Sequence, residues 1–353
     1  MKFTVFSMPT WDAVLGITQG EFLRALVEHL ASAEELGFDG IWVNEHHFHA
    51  FGGMAPSLVA ILSALSTRTK RVRLGASTVL LPLYHPLQVA EQFAMVDLMS
   101  GGRLEFGVGR GFVAHDYEVL GVPLEEARER LAESLDIVLQ AWQGKRFNVG
   151  GRFYRFNDVE VWPQPEQLPH PPVWVAATAN PESFTWIAQN GHHLLTIGFP
   201  RNIQHLSMCT RTYREAWNAA GHSPNDLEIG THYHVVVGED GAEALHTAGQ
   251  ATLHRIQATY DAQALSTASA WGGYEAFSVD QLLADGRIIA GSPEECAAQI
   301  LRLESEVGFT WLNATFQFGD ITFSRAQHSM ELYAHEVIPR LKNPSLAPSA
   351  ARA

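Results

Sequence analysis

Eight short β-rich runs, each followed by a stretch of helical character, constrain this chain more than any other feature. Residues 2–6, 40–43, 72–81, 103–109, 172–177, 194–197, 228–237 and 310–318 read as strands. They are short, rich in branched and aromatic residues, and bounded by glycine, proline or polar residues. Between them apolar residues recur at helical spacing. One helix over about 20–36 ends at Gly37, and others cover 56–67 and 86–99. A fourth carries Leu131, Leu135, Val138 and Trp142 on one face, and Pro181 opens a fifth. Residues 147–162 read as a β-excursion from this rhythm. Parallel strands need crossover connections, and those crossovers are right-handed, so eight such units predict an α/β chain closed into a (β/α)8 TIM barrel. A single domain over residues 1–340 accounts for the pattern. Residues 261–291, with Trp271 and Tyr274, lack helical periodicity and read as an insertion between strands seven and eight, a mobile loop. Residues 341–353 read as a disordered tail.

Composition narrows the function classes. Of 353 residues 46% are hydrophobic, enough for a large core, yet no apolar run approaches the roughly 20 residues of a membrane-spanning helix. The first residues, from Met1 to Trp11, enter strand-like sequence directly and show no secretory signal. Cys209 and Cys296 form no metal or redox motif, so a reducing cytoplasm is the expected compartment. A formal net charge of −14 opposes binding to nucleic acid or to an anionic membrane.

In such a barrel the chemistry sits at the C-terminal ends of the strands. The second strand ends in Glu45-His46-His47-Phe48-His49, a carboxylate beside clustered imidazoles, which suits proton transfer near neutral pH or simply makes a solvated histidine-rich loop. No metal site is expected, because no three or four ligands are evident at a matched spacing. The third strand ends around Ser77 and Thr78, where small residues either let a flat ligand approach the backbone or merely pack well. The fourth ends Gly107-Val108-Gly109-Arg110-Gly111, which is not a dinucleotide fingerprint but holds an arginine between glycines at the rim. Arg128 follows in the first turns of the next helix, three residues before Leu131, and is expected to lean toward the buried face. There a cation opposes the helix dipole, so either an anionic ligand or a surface ion pair with Glu125 or Glu129 offsets it. The fifth strand ends Ala176-Ala177-Thr178-Ala179-Asn180-Pro181-Glu182-Ser183. Asn180 caps the helix, and the Thr178 and Ser183 hydroxyls with the first-turn amides offer a phosphate site.

Taken together these motifs resemble the bacterial luciferase-like flavin monooxygenases. The likeness is strongest over 45–52, 74–86, 90–100 and 102–111 and continues weakly to the end. It implies FMN at the barrel mouth, its phosphate near Arg110, Arg128, Thr178 and the backbone at Ala177, with Ala176 and Ser183 alongside. It implies a non-proline cis peptide at Ser77–Thr78 under the flavin ring, and His46, with Glu45, as the catalytic group. Reduced FMN from a separate NAD(P)H-dependent flavin reductase would react with O2 to a peroxyflavin that oxidises a small organic substrate, and a homodimer is expected. Light-emitting members carry a reactive cysteine where this chain has Gly109, which argues against bioluminescence. A deazaflavin-dependent oxidoreductase and a non-catalytic flavin-binding relative are the alternatives, and a metal-dependent hydrolase barrel that uses the histidines is a third. The substrate is not legible.

Overall fold

The structure, a computed structural model, describes residues 1–199, 202–265 and 278–343. Eight parallel strands form a closed ring: β1 (Lys2–Ser7), β2 (Gly40–Val43), β3 (Arg73–Ala76), β4 (Leu104–Gly109), β5 (Val173–Ala176), β6 (His193–Ile197), β7 (Ile229–Val237) and β8 (Trp311–Thr315). Neighbours in sequence are neighbours in space, and β8 closes the ring by pairing with β1, Lys2 opposite Trp311. The surrounding helices include α1 (Gln19–Ser32), α2 (Leu58–Arg68), α3 (Pro86–Ser100), α4 (Ala127–Ala141), α5 (Pro181–Gln189), α6 (Ile203–Ala219), α7 (Gly241–Ala264), α8 (Pro293–Val307) and α9 (Phe323–Leu332). The (β/α)8 expectation therefore holds.

The strands are buried on both faces, as parallel strands covered by helices must be. Ile41, Val43 and Leu74 point outward into the layer shared with the helices, where Leu131, Leu135 and Val138 of α4 also lie. Trp142 caps α4 and donates its indole N–H to the Ala90 carbonyl at 2.9 Å, so the apolar spacing seen in the sequence is the packing face. Inside the ring, Phe6, Trp42, Trp174, Leu195 and Trp311 form a separate core. The three indoles meet edge to face, with centroids 5.3 to 6.0 Å apart. At the opposite end from the mouth, Trp174 Nε1 donates to Glu105 at 2.6 Å, and Glu105 accepts from Arg73 at 2.6 Å.

Two expectations need adjustment. The third run is not one strand over 72–81: β3 stops at Ala76, the chain passes through a cis Ser77–Thr78 peptide, and Val79–Leu80 then pairs with the end of β4. The 261–291 segment does lie between the seventh and eighth barrel strands, but it is not irregular throughout. Helix α7 reaches Ala264, a helix covers Val279–Ala284, and Ile288–Gly291 pairs in parallel with His234–Val237 of β7. That four-residue apolar run was too short to read as a strand against its surroundings. The loop reading for Trp271 and Tyr274 lies outside the described residues, as does the expected disordered tail beyond 343, while Leu341 and Lys342, assigned to that tail, close the helix Ile338–Lys342. The expected β-excursion is an antiparallel hairpin of Phe147–Gly150 and Arg155–Val159.

The indole cluster leaves no room on its neighbours. A Cβ built on Gly75 would stand only 2.1 Å from Cδ2 and Cε3 of the Trp42 ring. Both groups belong to the backbone-fixed barrel, so neither can move cheaply. Gly75→Ala is expected to destabilise the protein by about 1–3 kcal/mol, the usual scale of core overpacking. Urea unfolding should show a lower midpoint at unchanged slope, and an unshifted midpoint would mean that the barrel interior is looser than this geometry.

Candidate active site

Side chains alternate along β2, and the alternation carries past its end. Trp42 points into the barrel, and Asn44 follows it, donating to the Ser77 carbonyl at 2.6 Å. His46 comes next in the same phase. It is 3% exposed, 4.8 Å from the Phe51 ring, 5.7 Å and edge-on to Phe112, and 5.4 Å from the His49 ring, centroid to centroid. A Cβ on Gly52 would stand 2.5 Å from His46 Cδ2, so the loop after β2 folds directly against this imidazole. His46 Nδ1 is buried without a hydrogen-bond partner among the described residues.

Glu45 and His47 take the other phase and form their own pair, Oε1 to Nε2 at 3.0 Å. Glu45 also accepts from the Leu80 amide at 3.4 Å, and Tyr84 lies 3.4 Å from His47 Nε2. The carboxylate expected beside His46 thus engages His47 instead. The acid that does approach the imidazoles is Asp116, in the helix Ala114–Leu120, with Oδ1 3.4 Å from His49 Nε2. His46, His49 and Asp116 bring possible ligand atoms within 4.8 Å of one another. Sequence spacing missed Asp116 because it lies far along the chain. The available signal was an acid set among Val113, Ala114 and Tyr117 on a helix face that proves buried.

Around the mouth from β2, Ser77 and Thr78 are buried and joined by the cis peptide. Gly109 ends β4, and a Cβ there would strike Thr78 Oγ1. Arg110 is exposed, with its carbonyl accepting from the Tyr117 hydroxyl. Arg128 does not lean into the core: its side chain is 59% exposed and pairs with Glu182 at 3.1 Å. The buried stripe of α4 runs through Ala127, Leu131, Ser134 and Val138, so position 128 falls about 100° off it. The pair nevertheless sets Arg128 against the first turn of α5. There Asn180 caps the helix, accepting from the Glu182 amide at 3.0 Å on its side chain and from the Ser183 amide at 3.0 Å on its carbonyl. Thr178 is exposed, Ala177 buried, and Ala176 and Ser183 lie between these extremes.

Across the ring, β7 contributes His232 and His234, two residues apart and therefore on one face. His232 stacks on Phe6 at 4.1 Å and bonds Thr315 Oγ1 at 2.8 Å, and His234 packs on Phe318 at 4.4 Å. Their period-two spacing was present in the sequence, but an apolar strand gave no reason to read them as mouth residues.

Comparison with known proteins decides the family. The luciferase-like monooxygenase profile matches residues 1–310. This chain belongs to the luciferase-like monooxygenase family. Its barrel is similar to the crystal structure of the monooxygenase RslO1 from Streptomyces bottropensis, at 30% identity and a TM-score of 0.88 over 96% of this chain and 99% of that one. It is 37% identical over 176 residues to the oxygenase component of a flavin-dependent trigonelline monooxygenase from Acinetobacter baylyi, covering 49% of this chain and 48% of that protein. It is 38% identical over 161 residues to an F420-dependent glucose-6-phosphate dehydrogenase from Amycolatopsis mediterranei, covering 44% and 47%.

Burial sets the charge state of this luciferase-like mouth. It holds the His46 pKa well below the usual histidine value, helped by the nearby His49, His47 and Arg255. Burial likewise lowers His232 to about 3 and, at the opposite end of the barrel, His192 and His193 to about 4. Glu45 is raised by burial, only partly offset by His47, and the bond to Glu45 more than offsets the burial of His47, which is raised too. The depressed histidines have a stability consequence. Between about pH 6.5 and 4 the unfolded chain binds protons that the folded rings refuse, so stability is full above pH 6.5 and is lost as pH falls. Each ring can contribute up to about 1.4 kcal/mol per pH unit, with buried Glu45 and Glu105 opposing at the acid end. Urea unfolding at pH 7, 6 and 5 should show a steep loss corresponding to more than one proton taken up. A flat profile would mean that these rings are charged or hydrated in the folded protein.

Proposed function

We propose that this chain is the oxygenase component of a two-component monooxygenase that takes reduced FMN from a separate NAD(P)H-dependent flavin reductase and oxidises a small organic substrate with O2. The observation that carries the reading is the buried, uncharged His46 facing the same strand ends that are rimmed by Arg110, Arg128 and Thr178. The description of the trigonelline relative as a flavin-dependent oxygenase component supports it.

The residues fit a flavin. The side-chain space at Gly109 is taken by Thr78, with Ala176 beside it, so small side chains pack closely there and make a low surface against which a flat ring system would lie. A phosphate would be held by Arg110, Arg128, Thr178 and Ser183 near the Ala177 backbone, at the positive end of α5. Asn180 already satisfies the Glu182 and Ser183 amides, so side chains carry most of that contact. The Arg128–Glu182 pair is exposed and of a kind worth about 0–1 kcal/mol, so the guanidinium can change partner at little cost.

Bound reduced flavin supplies the electrons that activate O2. The chain's own part is to exclude water and manage a proton. Phe51 and Phe112 pack around His46, and its unpartnered Nδ1 can take up a proton and return it. Glu45 acts through His47, as a positioning residue that ties the end of β2 to the Leu80 amide. A second copy of the chain fits the apolar strip of Met95, Leu98 and Met99 left exposed on α3, which supports a homodimer. No helix among the described residues is long and apolar enough to cross a membrane, and a cytoplasmic enzyme is our reading. A deazaflavin cofactor is the second reading, favoured by the F420-dependent relative.

Titration with FMN and with F420 tests the cofactor, and tight binding of F420 alone would reverse the preference. Charge-assisted hydrogen bonds contribute roughly 1.5–3 kcal/mol each, so Arg128→Ala is expected to weaken FMN binding by about ten- to a hundredfold while the barrel stays folded. Unchanged affinity would put the phosphate elsewhere.

The two histidines separate chemistry from structure. His46→Ala is expected to keep flavin binding and lower turnover by roughly 10²–10⁴-fold. His47→Ala deprives buried Glu45 of its partner and is expected to cost about 1–3 kcal/mol of stability with a smaller effect on turnover. Stopped-flow oxygen consumption by both variants, with flavin affinity as control, checks the assignment. A His46 variant with normal turnover would mean that another group handles the proton.

A further inference from the structure

Three buried side chains at the mouth come together without satisfying one another. His46 and His49 stand three residues apart in the loop after β2, and Asp116 comes from the helix Ala114–Leu120. Phe48, with a left-handed φ of 60°, turns the chain between the two histidines. Its own ring is exposed while both imidazoles are buried. The Gly52 amide donates to Thr10 Oγ1 at 2.8 Å and the Met54 amide to the Pro9 carbonyl at 3.1 Å, so this loop is tied to the chain that follows β1. On the other side the Tyr117 hydroxyl donates to the Arg110 carbonyl and holds the short helix against the end of β4.

His46 is 3% exposed, and the side chains of His49 and Asp116 are 2% exposed. Four of their polar atoms are sealed from solvent with no hydrogen-bond partner among the described residues: His46 Nδ1, both ring nitrogens of His49, and Asp116 Oδ1. Such atoms are costly to bury unpaired, and native proteins keep few of them. His49 Nε2 and Asp116 Oδ1 stand 3.4 Å apart. A charge-assisted hydrogen bond between them would be about 2.7–2.9 Å long. Two atoms that bind one zinc ion tetrahedrally, each at about 2.0–2.2 Å, lie about 3.3–3.6 Å from each other. The observed separation is that of a shared metal ion rather than that of a direct bond. His46 completes a set whose donor atoms all lie within 4.8 Å of one another. Drawing the widest pair onto one ion takes about an ångström, a movement on the scale of an imidazole rotation.

We propose that His46, His49 and Asp116 form a binding site for a divalent transition-metal ion of the zinc type, with the fourth position open to water. Two imidazoles and one carboxylate are a recurrent three-ligand set for zinc with such an open position. The nitrogen donors select against magnesium and calcium, which take oxygen ligands. The carboxylate offsets half of the ion's charge, and the net charge of −14 favours the approach of a cation at long range. Phe51 packs on both imidazoles, 4.8 Å from His46 and 6.1 Å from His49, and Phe112 stands edge-on to His46, which makes the surrounding shell largely apolar. Spacing along the chain gave no reason to expect a metal, because the third ligand comes from a distant element. The site itself does not depend on the oxygenase reading, but its consequence does. A metal on His46 ties up the imidazole assigned to the proton, so zinc inhibits turnover and leaves the flavin phosphate contacts alone.

The test uses the full chain, freed of metal with a chelator. Equilibrium dialysis against zinc and, separately, magnesium, with metal analysis after long equilibration, should give one zinc per chain and no magnesium above background. Cobalt(II) should replace zinc and show the visible absorption of a low-coordinate ion, and zinc should raise the melting temperature. His49→Asn and Asp116→Asn each remove one ligand from a separate element, so one folded variant suffices. Loss of an outer-shell partner already weakens a bound metal about 10–100-fold, so loss of a ligand should weaken zinc by at least about tenfold and abolish the cobalt spectrum. The proposal is overturned if zinc binds wild type no better than magnesium, because a water then serves these atoms. It is also overturned if a folded variant keeps the wild-type zinc affinity, because the ion then sits on surface groups such as His328 and Glu239. Zinc bound at this site without slowing flavin-driven oxygen consumption would instead sink the assignment of the proton to His46 and leave the metal site in place.

Discussion

The mutual fit of three indoles inside a closed ring of strands fixes everything above them. Trp42, Trp174 and Trp311 come from β2, β5 and β8, and they pack edge to face at a depth where Gly75 has had to give up its side chain. Aromatic rings in this arrangement gain beyond their buried area, and they do so only in one register. Shifting β2 by one residue would send Trp42 into the helix layer and bring Val43 inward. The register that seats Trp42 is the same one that turns Asn44 toward the Ser77 carbonyl and His46 toward the mouth. The orientation of the histidine is thus inherited from the packing of the core beneath it.

That dependence explains which parts of the site were legible in the sequence. The eight strands and the packing face of α4 follow from local pattern, and so does the opposite facing of His46 and His47, since strand parity is local too. Arg128 shows where local pattern misleads. Its spacing from Leu131 suggested burial, but the stripe is centred on Ala127 and Ser134, and the first turn of α4 projects past the sheet to meet Glu182 of a different unit. Asp116 was beyond reach for a related reason. It gains meaning only from a group far along the chain, His49. A strand sequence such as that of β7 reads as apolar packing until closure of the ring shows that His232 and His234 face the mouth.

The mouth is assembled from ionisable groups that are mostly kept uncharged. His46, His232 and His234 are all pressed toward neutrality by burial, and the Glu45–His47 pair is confined to the other face of β2. A site of neutral imidazoles and apolar rings has low polarity, which strengthens whatever charge enters it. The exposed groups behave differently. Arg110 and Arg128 stand in water, where their pairings are weak and exchangeable, and that suits a ligand that must arrive and leave with each turnover.

Against this background the charge of the whole molecule and the charge at the rim of the mouth point in opposite directions. A formal net charge of −14 repels anions at long range. That repulsion is screened over about 8–10 Å at physiological ionic strength, so it slows approach more than it weakens contact. At the rim the nearest cations are the guanidiniums of Arg110 and Arg128, both exposed, the second in a weak pair with Glu182. An anionic group that reaches them exchanges weak long-range repulsion for direct pairing. Selection then acts at the point of contact rather than during approach.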